Sequence, residues 1–336
     1  MTSIGPIACA LPERALTNAD LERENPSWNM AAVTLRTGVL SRRIASAGET
    51  AFDLSARACE ALVAESGVDL GAIDAILYCT QTPDYPMPGN AHLLHRELQL
   101  GADVLAFDYN LACSGYVYGL AFVDSFVRSG LAAQILLVTA ETYSKRIHPG
   151  DRSARALFGD GAAVTHITAG DDGGGRIVAV QLGSHGAGFQ LFHVPAGGAR
   201  NPSDEGTRQE QRDRHGRARS AETIQMDGTA VWGFANSIVP EHLRAFLASQ
   251  SLTFEDVDLC VFHQASKLTL DSLAEALDLP PDKLYVHLAD TGNLSSASIP
   301  FALRAALADG AIGPGDRVLL SGFGAGLSYG SVLVEF

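Results

Sequence analysis

The apolar positions of this chain gather in short β-prone runs, among them AILYC (75–79), VLAFDY (104–109), ILLVTA (135–140), LCVF (259–262) and RVLLSGF (317–323). Between the runs, apolar residues return at helical spacing. Leu54, Ala58, Ala61 and Leu62 share one face of DLSARACEALVAESG, and Gly67 ends that helix. Strands alternating with helices predict an α/β fold whose sheets are covered by helices.

The pattern occurs twice. AIDAILYCTQ (72–81) and DVDLCVFHQA (256–265) each run from an acidic residue through a short apolar stretch to a polar switch, with Ile73 and Val257 184 positions apart. QILLVTAET from Gln134 and RVLLSGFGA from Arg317 repeat at an offset of 183. The small-residue helix expected after Cys113 has its counterpart in NLSSASIPFALRAAL from Asn293, at an offset of 180. Near-equal offsets in the same order predict two duplicated halves. The Gly-rich AGDDGGGR (169–176) marks the boundary, giving an N-terminal half of 1–172 and a C-terminal half of 173–336. The polar stretch at 197–220 is expected to be a partly ordered surface loop within the second half.

Composition narrows the classes. At 336 residues, 46% apolar and 18% charged, the chain is long and apolar enough for one large domain or two packed halves. A net charge of −14 argues against a general binder of nucleic acid or anionic membrane, which needs concentrated Lys and Arg. The one basic cluster, TRQEQRDRHGRARS (207–220), reads as a solvated loop of mixed charge, and a local patch for an acidic partner stays open. Five scattered cysteines, Cys9, Cys59, Cys79, Cys113 and Cys260, do not form a disulfide framework, so a reducing cytoplasm is expected. No apolar run approaches the ~18 residues that span a bilayer, and the N-terminus does not read as a signal peptide.

Three residues stand at strand-to-helix junctions. Cys113, in DYNLACSGYVYGL (108–120), falls at or near a helix N-terminus, where dipole and free amides are expected to lower its thiol pKa. An apolar-flanked cysteine alone more often packs as a small buried side chain, and Cys9, Cys59, Cys79 and Cys260 are read so. His263 ends a buried strand, where open α/β sheets place ligand sites. Asn293, in DTGNLSSASIP (290–300), is either a helix N-cap or a hydrogen-bond donor. Together they would supply a nucleophile and two donors. SGFGAGLSYGSVLVEF (321–336) is not a Rossmann loop, because its glycines are spaced differently and a β-like run follows; it suits close backbone approach to the nucleophile. His92 and His95 lack a clustered third ligand, so a helix face is expected there and no metal site.

RTGVLSRRIA (36–45), NLACSGYVYGL around Cys113, DRSARALFGDGAAV from Asp151, FHQAS around His263 and GNLSSASIP around Asn293 resemble the ketoacyl-ACP synthase III family of thiolase-fold condensing enzymes. The resemblance implies a cytoplasmic homodimer with a five-layered α/β/α/β/α fold from two duplicated halves. It implies transfer of an acyl group from an acyl thioester, usually acyl-CoA, to Cys113. Decarboxylative Claisen condensation with malonyl-ACP follows, with no cofactor beyond these substrates. By the same carry-over, His263 and Asn293 stabilise the enolate, and the Cys113 and Ala325 amides form the oxyanion hole. Arg36, Arg152, Met87, Gly228 and Lys267 fall at substrate or CoA positions.

Departures from the family pattern point to specialised fatty-acid or polyketide-type biosynthesis. The family's adenine-stacking tryptophan falls at Ala32, with Trp28 displaced. The basic residue for carrier-protein docking falls at Leu268, beside Lys267. The Phe that gates the acyl pocket across the dimer is Met87, which suggests an adaptable pocket wider than an acetyl site. Two alternatives remain: acyl transfer from Cys113 without decarboxylation, and a non-catalytic partner subunit. A thiolase would need a second cysteine in SGFGAGLSYG, which has none.

Overall fold

A computed structural model describes residues 1–170, 173–213 and 216–336. Its main elements are β1 (Thr2–Ala10), α1 (Met30–Thr37), α2 (Ala51–Ser66), β2 (Ala75–Cys79), α3 (Asn90–Glu97), β3 (Leu105–Tyr109), α4 (Gly115–Ser129), β4 (Gln134–Glu141) and β5 (Gly161–Ala169). The chain continues through β6 (Gly175–Ser184), α5 (Gly228–Ser249), β7 (Leu259–Phe262), α6 (Lys267–Ala276), α7 (Ser298–Ala308), β8 (Arg317–Gly324) and β9 (Ser328–Glu335). Local chemistry sets the ends of α2. Thr50 accepts from the Asp53 amide in a capping box, and Gly67 closes the helix at φ 68°.

These nine strands lie in the order β7-β8-β9-β6-β1-β5-β4-β2-β3. The order mirrors itself about the β6–β1 join, where Ser3 and Ile4 pair with Arg176 and Gly175. On one side β1, β5 and β4 are antiparallel, and β4, β2 and β3 are parallel. On the other, β6, β9 and β8 are antiparallel and β8 and β7 parallel. A single parallel bridge from Cys260 to Leu284 stands where β3 stands in the first half. The boundary read at 172/173 falls at Asp171 and Asp172, outside the described residues.

Side-chain alternation along these strands builds the layers. Leu77 and Val261 point inward onto Tyr116, Val117 and Leu120 of α4 and onto Ile299, Ala302 and Leu303 of α7. Ile76 and Tyr78 point outward onto Leu54, Leu62 and Leu94 of α2 and α3. Cys260 and Phe262 point outward onto Leu243, Phe246, Leu270 and Leu273 of α5 and α6. Strands buried on both faces explain the uninterrupted apolar runs. The result is helix, sheet, helix, sheet, helix, and the middle layer begins at the two junctions that carry Cys113 and Asn293. Among the described residues no helix is long and apolar enough to cross a membrane, and no group of three or more His, Cys, Asp or Glu could hold a metal.

Most of the segment 197–220 is exposed, as a surface loop is, but its end is buried. It holds a short helix (Glu205–Arg208) and a hairpin pairing Gln211–Arg212 with Ala218–Arg219. Ala218, Arg219 and Ser220 are buried. Arg219 Nε donates to Asp151 Oδ2 at 2.6 Å, and its Nη2 reaches the Met226 carbonyl. A guanidinium with its donors satisfied can leave water, so part of the charge run became wall. Arg214 and His215 of that run lie outside the described residues.

Candidate active site

Cys113 occupies the tight turn between β3 and α4, where the Gly115 amide donates to the Ala112 carbonyl at 2.7 Å. Its side chain is 4% exposed and packs with Tyr143, Phe158, Phe192 and Ala325. Gly324, at the end of β8, lies directly against it. A Cβ there would stand 2.8 Å from Cys113 Cβ and 2.9 Å from Sγ. The neighbour that would have to yield is a short side chain on a tight turn. Gly324→Ala should therefore displace the sulfur and slow covalent loading about 100-fold while the protein still folds. Single-turnover loading and a thermal melt check both halves of that expectation.

His263 follows β7, with its amide donating to the Ser321 carbonyl at 2.8 Å and its ring edge-on to Phe323. Asn293 is clamped from both ends. Its amide donates to the Leu157 carbonyl, its carbonyl accepts from Gly159, and its side-chain Oδ1 accepts from the Ser295 amide at 2.8 Å. Gly292, at φ 69°, turns the chain there, and a Cβ would meet the Leu157 carbonyl oxygen at 2.7 Å. With Oδ1 occupied, Asn293 Nδ2 faces the Ala265 carbonyl and His263 Nε2, each at 3.3 Å. Asn293 is not an N-cap; the residue before α7 is Ala297.

A cavity of about 920 Å3 brings Cys113, His263 and Asn293 together, though they lie on elements far apart in the chain. Cys113 Sγ is 4.0 Å from Ser295 Oγ. Among the described residues the Ala325 amide has no protein acceptor and the Cys113 amide is turned to its own thiol, and Ala325 does not need a positive φ. Such amides can hold a developing oxyanion.

Burial rules the charges. It pushes the Cys113 thiol up to about 12, with Ser295 Oγ pulling it down and Glu141 pushing it further up. The lowered thiol pKa expected from the helix N-terminus is overturned, because loss of water outweighs the nearby dipole. His263 is pulled down to about 3 by burial, so its imidazole is neutral near pH 7. Behind the Ser295–Ser296 turn, the fully buried Glu141 accepts from the Gln81 amide, Thr82 Oγ1 and Ser296 Oγ. Burial pushes its carboxyl up to about 8.

The folded chain therefore keeps a proton on Glu141 above the ordinary value of 4.5. Stability falls as pH rises toward 8, by at most ~1.4 kcal/mol per pH unit. Asp160, raised by burial, acts in the same sense. His242 and His263, both lowered by burial, oppose it only below their ordinary 6.5. The decline should thus be visible between about pH 6.5 and 8 in urea midpoints, and Glu141→Gln should flatten it.

The remaining expected site residues divide. Arg36 and Gly228 line the cavity. Arg152 is exposed on the short helix Arg152–Arg155, outside the lining. Lys267 is also outside it, paired with Asp271. Met87 is 82% exposed and does not line the cavity. Trp28 packs with Leu16, Leu21 and Met30, away from the cavity. Arg146 is exposed, and Lys145 donates to the Ser46 and Ala47 carbonyls. Arg217, Arg219, Gln225, Met226 and Trp232 also line the cavity and were not foreseen. The period-two spacing of Arg217 and Arg219 within a charged stretch was the available signal.

The family model of 3-oxoacyl-[acyl-carrier-protein] synthase III matches residues 107–186, and the model of the C-terminal part of 3-oxoacyl-[acyl-carrier-protein] synthase III matches residues 247–336. A β-ketoacyl-[acyl-carrier-protein] synthase III of Symbiobacterium thermophilum is 37% identical over 334 residues, covering 98% of this chain and 96% of the relative. This chain belongs to the 3-oxoacyl-[acyl-carrier-protein] synthase III family. A crystal structure of a 3-oxoacyl-(acyl-carrier-protein) synthase III superposes with a TM-score of 0.97 at 38% identity, covering 100% of this chain and 99% of that one. The priming β-ketosynthase of the R1128 polyketide pathway gives a TM-score of 0.85 at 30% identity, covering 100% and 96%. The synthase III fold is thus that of the whole chain, and Cys113, His263 and Asn293 all lie within the matched segments.

Proposed function

We propose that this synthase III family member is a β-ketoacyl-ACP synthase acting in fatty-acid or polyketide-type specialised biosynthesis. Cys113 Sγ attacks the carbonyl of an acyl-CoA, the C–S bond to CoA breaks, and the thiol proton leaves with CoA as CoA-SH. Malonyl-ACP then enters the same cavity and loses CO2. The enolate oxygen accepts from Asn293 Nδ2 and from Nε2 of the neutral His263 in its Nε2–H tautomer. A neutral imidazole suits this, because it donates without transferring its proton. The enolate carbon attacks the acyl-cysteine, the Cys113 and Ala325 amides hold the tetrahedral oxyanion, and collapse frees the β-ketoacyl-ACP and expels the Cys113 thiolate, which takes up a proton from solvent.

The observation that carries this reading is the convergence of Cys113, His263 and Asn293 on one cavity. The reaction draws its activation from two thioesters and calls on no cofactor. In the same reading Cys113 serves from an N-terminal half ending near 172, and His263 and Asn293 from the C-terminal half. The chain pairs with a second copy, whose acyl pocket the exposed Met87 would gate. Five free thiols fit a reducing cytoplasm. The test is incubation with a panel of acyl-CoAs and malonyl-ACP, following CO2 release and carrier-bound product by mass. Loading without carbon–carbon bond formation would replace condensation with simple acyl transfer.

A further inference from the structure

Glu141, at the end of β4, is buried and takes no part in the proposed chemistry, yet it stands behind the turn that presents Asn293. Three donors converge on its carboxyl from two segments. The Gln81 amide lies between both oxygens at 3.1 and 3.2 Å, Ser296 Oγ faces Oε1 at 3.3 Å, and Thr82 Oγ1 faces Oε2 at 2.9 Å. Gln81 and Thr82 follow β2, whereas Ser296 belongs to the turn between Asn293 and α7.

That turn is strained. Ser295 has φ 52°, a left-handed backbone that residues with a Cβ disfavour and that persists only where the surroundings hold it. Its amide donates to Asn293 Oδ1 at 2.8 Å, which leaves Asn293 Nδ2 on the side of His263. A relaxed turn would carry the Ser295 amide away from Oδ1, and the carboxamide would lose its fixed direction. Ser295 and Ser296 are both buried, so water cannot take the place of the Glu141 carboxyl at Ser296 Oγ.

We infer that Glu141 is a positioning residue for condensation: by holding Ser296 it keeps the Ser295 amide on Asn293 Oδ1 and so aims Nδ2 at the enolate oxygen. This rests on the proposed reaction and adds to it a residue that touches no substrate. Glu141→Gln can keep its carbonyl on Ser296 Oγ and turn its own amide to Thr82 Oγ1, so it preserves the tie. Glu141→Leu cannot.

The carboxyl also gives the tie a pH signature. Burial pushes it up to about 8, so near pH 7 it is neutral behind the enolate site. Once ionised it sets a like charge there, and condensation should fall as pH rises through about 8. The titratable groups facing it are Cys79, Cys113, Tyr143 and Asp160. Burial keeps the first three protonated across that range, and Asp160 is still present in Glu141→Gln. Loss of the alkaline fall in Glu141→Gln therefore assigns it to Glu141.

Ser296→Ala removes the tie and leaves the carboxyl its other two donors. Condensation should fall about tenfold in this variant while acyl loading changes less than about twofold. In an Asn293→Ala background the same substitution should cost no more than about a further twofold, because its effect runs through Asn293. Glu141→Leu should lose about 100-fold in condensation, and Glu141→Gln should recover most of that. Melting curves establish which variants fold. Equal falls in loading and condensation for Ser296→Ala, or an undiminished fall in the Asn293→Ala background, would overturn the assignment. If the wild-type protein loads an acyl group but forms no β-ketoacyl product, the proposed reaction fails, and a crystal structure of Ser296→Ala decides the positioning. An Asn293 carboxamide turned away from its wild-type place upholds it, and an unmoved one refutes it.

Discussion

Cys113→Ala protein should acquire no acyl mass from any acyl thioester, and its condensation rate should drop at least ~1,000-fold, the scale seen when a nucleophile is removed. The competing thiols explain why the loss should be complete. Burial pushes up the thiols of Cys9, Cys59, Cys79 and Cys260 as it does that of Cys113, so access to substrate is what separates them. None of the four lines the cavity. The substitution removes one sulfur from a packed site, so the variant should remain folded. Intact-protein mass after incubation, with a melting curve alongside, reads both effects. Residual loading in Cys113→Ala would place the nucleophile elsewhere.

His263→Ala and Asn293→Ala separate the two chemical steps. Each variant should still load Cys113, because in the proposed mechanism neither residue holds the acyl carbonyl, whose oxygen would face the Cys113 and Ala325 amides. Condensation should fall about 100- to 1,000-fold in each, the usual cost of one oxyanion donor. The double variant should fall by less than the product of the two, since Asn293 Nδ2 and His263 Nε2 lie 3.3 Å apart and would serve one oxygen. Accumulation of acyl-enzyme without β-ketoacyl product is the expected signature. If both variants condense at the wild-type rate, the enolate site lies elsewhere.

Much of this was legible in the sequence because it was local. Apolar runs such as LCVF read as strands since both their faces are buried, and the capping signals at Thr50 and Gly67 lie beside the helix they bound. The repeat offsets anticipated a strand order that mirrors itself about the β6–β1 join. Motif spacing around Cys113, His263 and Asn293 named the residues of the candidate site.

Where the reading went wrong, a distant partner intervened. The Cys113 thiol is set by its burial among Tyr143, Phe158 and Phe192, and that counts for more than the helix beginning two residues later. Arg219 looked like a solvated charge until Asp151, 68 residues earlier, made its burial tolerable. Trp232 lines the cavity from α5, a placement that no neighbouring residue in the sequence marks.

The sequence by itself determined the strands, the helices, the duplicated order and which side chains have reactive chemistry, because each follows from residues close in the chain. Tertiary structure alone decided that Cys113, Asn293 and His263 share one cavity, that Arg36 and Gly228 line it while Arg152, Lys267 and Met87 do not, and that water is excluded from the sulfur. Those outcomes depend on packing between segments from 30 to 182 residues apart. Dielectric environment, exposure and mutual distance belong to that packing.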